Sequence, residues 1–251
     1  MREKRSQHHA TPAPSTHESA EEKGSFLAQS KIFRSLPMEE ISALEHIATM
    51  MTCQNGRVLY RPGEKGSSLF LLKTGRIQLY HLSSDGRKLI IAIIEAGDSF
   101  GETILLGEDR YDCFAEAVTD LRLCVINKND VQQLLSQKPA IALAFLSNAG
   151  QRLMQLEAQL IDTSFKSTPA RLATLLLALA RARQRNDEPL TIDGLSHEEL
   201  AERLGVYRET VSSALRELKE TGAIELGRKH IIIHEPARLE ILATTGGRVE
   251  K

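Results

Sequence analysis

Arg208 and Glu209 stand side by side in the run LGVYRETVSSALRELKETGAI, residues 204–224, where a strongly helical segment begins. An arginine offers two parallel N–H donors that match O6 and N7 of guanine, and a glutamate accepts a hydrogen bond from N4 of cytosine. The pair therefore suits adjacent G·C base pairs. The competing reading is an ordinary solvated pair of charges. Tyr207, Thr210, Ser212 and Ser213 cluster at the same helix end. The neighbouring elements decide whether that end is presented to a partner.

Upstream, SHEELAERLG predicts a short helix with Ser196 as N-cap and Glu199 three residues on, the spacing of a capping box. Gly205 is placed to stop that helix and turn the chain. Ala201 is small enough to let a second helix cross closely, and Leu200, Leu204, Val211, Leu215 and Leu218 supply an apolar face between the two. Downstream, AIELGRKHIIIHEP predicts two strands about a Gly227-Arg228-Lys229 turn. Helix, glycine turn, helix and β-hairpin make the layout of a winged helix-turn-helix, whose second helix contacts base edges through its N-terminal residues. Arg228 and Lys229 on the wing, with Arg216 and Lys219, are candidates for phosphate contacts, as are Ser196 and His197 at a helix N-terminus.

Composition sets the frame. The chain has 251 residues, 41% hydrophobic and 26% charged, enough for two modest domains with real cores. The formal net charge of −1 advertises no polyanion, so any nucleic-acid footprint has to be local. With 4% aromatic residues and no tryptophan, a ligand site built as a cage of rings is not expected. Cys53, Cys113 and Cys124 are odd in number and widely spaced, as reduced thiols of a cytoplasmic protein would be. No apolar run approaches the ~18 residues of a membrane span, and no signal peptide is evident.

Along the chain, residues 1–24 read as a disordered tail, in which His8 and His9 are weak metal ligands. Residues 25–138 open with a helical entry, Pro37 ahead of Glu39 and Glu40. Short β-prone runs follow, punctuated by Gly63, Gly75, Gly86 and Gly97, the rhythm of an antiparallel β-roll. Asp85-Gly86 predicts a tight hairpin turn. In residues 139–165, Ala142, Leu146, Ala149, Leu153, Leu156 and Leu160 alternate steps of three and four, the seam of a dimerisation helix unless the helix packs on its own roll. Residues 166–251 hold the winged helix-turn-helix. The fold class is α+β.

The roll ending in GDSFGE, the long helix and GVYRETVSSAL, in this order, resemble the bacterial regulators typified by the catabolite activator protein and the fumarate-nitrate regulator. The resemblance spans residues 33–236. It implies a homodimeric, non-enzymatic transcription activator that senses a ligand in the roll, reads a two-fold symmetric operator in double-stranded DNA, and meets RNA polymerase. It carries base reading onto Arg208 and Glu209. Where the family often has a second arginine near the end of this motif, Ser213 stands here.

In cyclic-AMP-binding members, an Arg-Ser pair after the GE holds the cyclic phosphate. Here the segment is GETILLGEDRYDCFAEA, with Tyr111-Asp112 or Asp112-Cys113 at the pair and Asp112 set to repel a phosphate. Arg110 could substitute after a shift of one residue. The family's hydroxyl contacts on the long helix are replaced by Leu156 and Glu157. Arg152 and Glu157 beside the seam resemble the 2-oxoglutarate-sensing branch. The expected effector is thus a small anion, 2-oxoglutarate-like or a nucleotide, with cyclic AMP the less favoured, held between Arg152, Glu157 and Gly101, Glu102, Thr103, Arg110, Tyr111, Asp112 and Cys113. Arg152 and Glu157 could equally pair across the dimer. The alternatives are a cyclic-nucleotide-responsive regulator, a haem sensor through His81, a redox sensor through Cys113, and a ligand-independent DNA-binding protein. A cupin-type enzyme needs clustered metal ligands, and the roll strands offer His81 alone.

Overall fold

The computed structural model describes residues 20–31, 33–34, 36–105, 110–183, 190–228 and 230–244. Two helices open it, α1 (Ala20–Gln29) and α2 (Met38–Ile47). The tail expected over residues 1–24 is thus corrected at its end, because α1 begins at Ala20 and packs on α2 with Leu27 fully buried. Residues 1–19, with His8 and His9, lie outside the described residues.

The β-prone runs form eight strands: β1 (Ala48–Cys53), β2 (Val58–Tyr60), β3 (Ser68–Thr74), β4 (Ile77–Leu82), β5 (Lys88–Ile94), β6 (Ser99–Phe100), β7 (Phe114–Ala117) and β8 (Leu121–Asn127). They pair as two four-stranded sheets ordered β1-β8-β3-β6 and β2-β7-β4-β5. The antiparallel registers include Met50 opposite Cys124, Phe70 opposite Val125 and Leu79 opposite Ala115. The chain crosses repeatedly from one sheet to the other, which makes the roll.

A helix that the sequence did not announce, α3 (Lys128–Gln137), follows β8 directly. Asn127 caps it by accepting the Asn129 N–H at 2.9 Å. Val131 and Leu134 of α3 join Leu27, Ile41 and Leu44 in a cluster with Leu69, Leu71 and Ile126 of the first sheet. Leu69 to Leu72 of β3 are consequently all buried, a continuous apolar run rather than an alternation, as expected of a strand covered on both faces. Four rings share the roll: Tyr60 stacks on Tyr111 at 3.8 Å between centroids and Phe70 on Phe100 at 4.9 Å.

The long helix α4 (Pro139–Phe165) leads to α5 (Thr168–Arg183), β9 (Leu190–Asp193), α6 (His197–Leu204), α7 (Arg208–Glu220), β10 (Ile224–Gly227), β11 (His230–Ile233) and α8 (Pro236–Thr244). The last three strands form one sheet ordered β10-β11-β9, so the wing has a third strand from LTID. Helix α8, also unforeseen, buries Leu239, Leu242 and Ala243 in the same cluster as Leu172 and Leu176 of α5. The chain divides into two units: one runs up to Tyr80 and resumes from Ala92 to Ala149, and the other comprises His81–Ile91 and everything from Gly150.

The turn between β3 and β4 tests the roll. Gly75 has φ +99°, and a Cβ there would lie 2.4 Å from the backbone oxygen of Asp120. Neither the dihedral nor the space admits a side chain. Gly75→Ala is expected to lose at least about 2 kcal/mol of unfolding free energy, read by urea denaturation. A variant as stable as the parent would mean that this turn has been misread.

Candidate nucleic-acid interface

The geometry of the helix pair starts at its cap. Ser196 Oγ accepts the Glu199 N–H at 3.1 Å, and Glu199 Oε2 accepts the Ser196 N–H at 2.7 Å, the reciprocal pair of a capping box. At the other end Gly205 sits at φ 66°, left-handed, with its N–H on Ala201 O. The chain can then turn within two residues into α7. Val211, Ala214, Leu215 and Leu218 are buried at helical spacing against Leu200, Ala201 and Leu204 of α6. That packing leaves Arg208, Glu209, Ser213, Arg216 and Lys219 exposed on the opposite face.

Arg208 and Glu209 are the first two residues of α7, with Tyr207 at the N-cap. Thr210 and Ser212 are half-buried, and Tyr207 is 54% exposed. Ser212 Oγ donates its one hydrogen to Arg208 O at 3.0 Å, so the 2.9 Å contact with His197 Nδ1 has the imidazole as donor. This chain of two hydrogen bonds ties the start of α6 to the first turn of α7. The sequence does not reveal it, because Ser212 and His197 are 15 residues apart and share no pattern.

A groove of about 360 Å³ lies between the helix pair and the wing, lined by Ser196, His197, Arg208, Gly227 and His230 among others. The N-termini of both α6 and α7 border it, and the partial positive charge at each helix start adds to the Arg208 guanidinium. The Glu198 carboxylate lines the same groove, so the two helix starts and the guanidinium share it with one negative charge. Arg228 is exposed at the wing tip, and Lys229 lies outside the described residues.

In the roll, Gly101 adopts φ +83° ahead of a 3₁₀ turn, Glu102–Leu105, that contains Glu102 and Thr103. Buried hydroxyls flank the glycine: Ser99 Oγ and Thr103 Oγ1 are shielded from solvent and make no hydrogen bond. Arg110 is exposed and donates to Gly63 O, and Asp112 is exposed as well. Between them Tyr111 is buried, its hydroxyl donating to Ser68 O at 2.9 Å and accepting the Ser68 N–H at 3.2 Å. Cys113 is buried too, its thiol pushed up to about 12 by burial and, after that, by Asp112. The segment therefore turns Tyr111 and Cys113 inward and its charged residues outward. Arg152 is half-buried and Glu157 exposed on α4; both belong to the second unit, whereas residues 101–113 belong to the first.

Helix α4 carries the expected leucines at its surface: Leu146 is 68% exposed and Leu160 67%, with Leu153 and Leu156 also exposed and Ala149 half-buried. Among the described residues, no helix is long and apolar enough to cross a membrane.

Comparison with known proteins agrees with both halves. Residues 50–138 match the cyclic nucleotide-binding domain family and residues 170–242 the Crp-like helix-turn-helix domain family. The cyclic AMP receptor protein of Thermus thermophilus is 31% identical over 215 residues, 85% of this chain and 97% of that protein. A CRP-like cAMP-activated global transcriptional regulator of Mycobacterium tuberculosis is 27% identical over 85% of this chain and 96% of its own length. The solved structure of FixK2 from Bradyrhizobium japonicum superimposes with a TM-score of 0.66 at 25% identity, covering 78% of this chain and 97% of that one. With a roll, a long helix and a winged helix-turn-helix in that order, the chain belongs to the CRP/FNR family of DNA-binding transcription regulators.

Proposed function

We propose that the chain acts as a homodimer that reads a two-fold symmetric operator through Arg208 and Glu209 and is controlled by a small anion bound at the roll. The observation that carries the DNA reading is the exposed start of α7, beside a groove bordered by two helix N-termini. Arg208 donates to guanine and Glu209 accepts from cytosine. Tyr207, Thr210 and Ser213 border these readers, and Ser196, His197, Arg228 and Lys229 take phosphates. Pairing of two α4 helices supports the dimer: each leucine buried there is worth about 1.5–3 kcal/mol, and Leu146, Leu153, Leu156 and Leu160 are otherwise left in water. Bound to its operator, the dimer acts in the cytoplasm as an activator that touches RNA polymerase.

The inward-facing residues of the 110–113 segment argue for an effector other than cyclic AMP. Tyr111 and Cys113 supply no cation to a cyclic phosphate, and Arg110 is engaged outside with Gly63. Gly101, Glu102 and Thr103 are the roll's candidate ligand groups for a 2-oxoglutarate-like acid, and Arg152 and Glu157 of α4 are carried as ligand groups by the family resemblance alone. A redox role for Cys113 is disfavoured because a buried thiol held near 12 carries almost no thiolate. Cyclic AMP stands as the second reading, because relatives named for it align along most of the chain.

Three measurements test this reading. In titrations of a symmetric operator library, Arg208→Ala is expected to lose about 1–3 kcal/mol per half-site and to relax preference at one base pair. The parent's affinity should fall steeply with salt. An unchanged preference removes Arg208 from base reading. Leu153→Asp should shift the protein from dimer to monomer in sedimentation, since a charge on the seam opposes its own copy. In a thermal screen of cyclic nucleotides and central metabolites, an anionic acid should raise the melting temperature. A rise with cyclic AMP and none with 2-oxoglutarate would reverse the choice of effector.

A further inference from the structure

The tip of the β4–β5 hairpin belongs, by its contacts, to the DNA-binding unit. It touches the helix-turn-helix at three places. Tyr207 Oη donates to Asp85 Oδ2 at 3.0 Å, and the Arg87 guanidinium lies 4.7 Å from the centre of the same ring. Lys88 Nζ is 3.9 Å from Glu202 Oε2 on α6. Leu89 covers Gly205, where an added Cβ would meet Leu89 Cδ1 at 2.9 Å. Cap residue, turn and first helix are therefore all engaged by residues 85–89.

The tip is held in shape independently of this contact. Ser83 and Arg87 close the hairpin by a Ser83 N–H bond to Arg87 O at 2.9 Å and an Arg87 N–H bond to Ser83 Oγ at 3.0 Å. Arg87 Nε donates to Asp85 Oδ2 at 2.8 Å, and Ser83 Oγ donates to Asp85 Oδ1. Asp85 thus waits as a preformed acceptor. Its carboxyl is held down at about 2, first by Ser83, then by Tyr207, then by Arg87. A carboxylate with a depressed pKa keeps its contacts above the ordinary carboxylate range and loses them only as pH falls toward that value. Protonation of Asp85 therefore does not release the tip at physiological pH.

From these contacts we infer that residues 83–89 form a latch that holds Tyr207, the N-cap of the recognition helix, when no operator is bound and must release it for DNA to seat. The inference rests on the reading of the chain as an operator-binding regulator. Tyr207 can give its one hydroxyl proton to Asp85 or to a phosphate, not to both. A carboxylate at that end also repels the phosphates that Arg208 approaches. The strand behind the tip offers a handle: Tyr80 of β4 pairs with Phe114 of β7 and stacks on it at 4.9 Å, directly after Cys113. A shift of the 110–113 segment would therefore be passed to the latch along β4.

In the effector-free, full-length protein, Asp85→Asn is expected to raise operator affinity about 3- to 10-fold, and to change nothing in a Tyr207→Phe background. Equal affinity of Asp85→Asn and the parent overturns the latch. So does the same gain in both backgrounds, which would mark a general charge effect. Amide hydrogen exchange of the free protein tests the contact without DNA: residues 83–89 and the first two turns of α7 should exchange faster in Asp85→Asn, and unchanged exchange overturns the contact. If no variant shows operator preference, the regulator reading fails while exchange still reports on the contact.

Discussion

The packing of α6 on α7 fixes which way the recognition surface points. Leu200, Ala201 and Leu204 meet Val211, Ala214, Leu215 and Leu218, and all seven are buried. Because a helix presents one apolar stripe, burying that stripe determines which residues face outward, and these are Arg208, Glu209, Ser213, Arg216, Glu217, Lys219 and Glu220. The capping box at Ser196 and the left-handed Gly205 set the length of α6, and the His197–Ser212–Arg208 chain sets the first turn of α7. A change in that apolar contact would re-aim every polar group in the interface together.

Electrostatics follow from the same arrangement. The chain is nearly neutral, and two helix starts and the Arg208 guanidinium meet the Glu198 carboxylate at one groove. Peptide dipoles need no ionised side chain, which is why a charge count along residues 166–251 comes out balanced and says little about the surface. The roll makes the opposite use of its residues. Its charged groups at 110 and 112 face out, and its scarce aromatics go into a buried group of Tyr60, Phe70, Phe100 and Tyr111 and a second stacked pair, Tyr80 on Phe114.

Legibility in the sequence tracked locality. The Ser196 to Glu199 spacing, Gly205, the 211-215-218 stripe, to which the structure adds Ala214, and the exposed leucines of α4 are each written within a few residues. Helices α3 and α8 escaped because their apolar residues are few and meaningful only against a sheet or helix distant in sequence. The run Leu69 to Leu72 carries no alternation to read, since α1 to α3 cover one side of its sheet and the roll interior the other. Asp85 and Tyr207, separated by 122 residues, looked like a turn former and a helix-end tyrosine. Only the folded chain brings their oxygens together.

The three cysteines form no disulfide and are all buried, yet they sit in different neighbourhoods: Cys53 at the end of β1, Cys113 beside the ring stack, and Cys124 in a strand paired on both edges. Burial raises the Cys53 thiol above its ordinary value and pushes the Cys113 thiol up to about 12, so both carry less thiolate than a free cysteine. A maleimide's reaction with each of the three thus reports on the exposure of a different part of the roll.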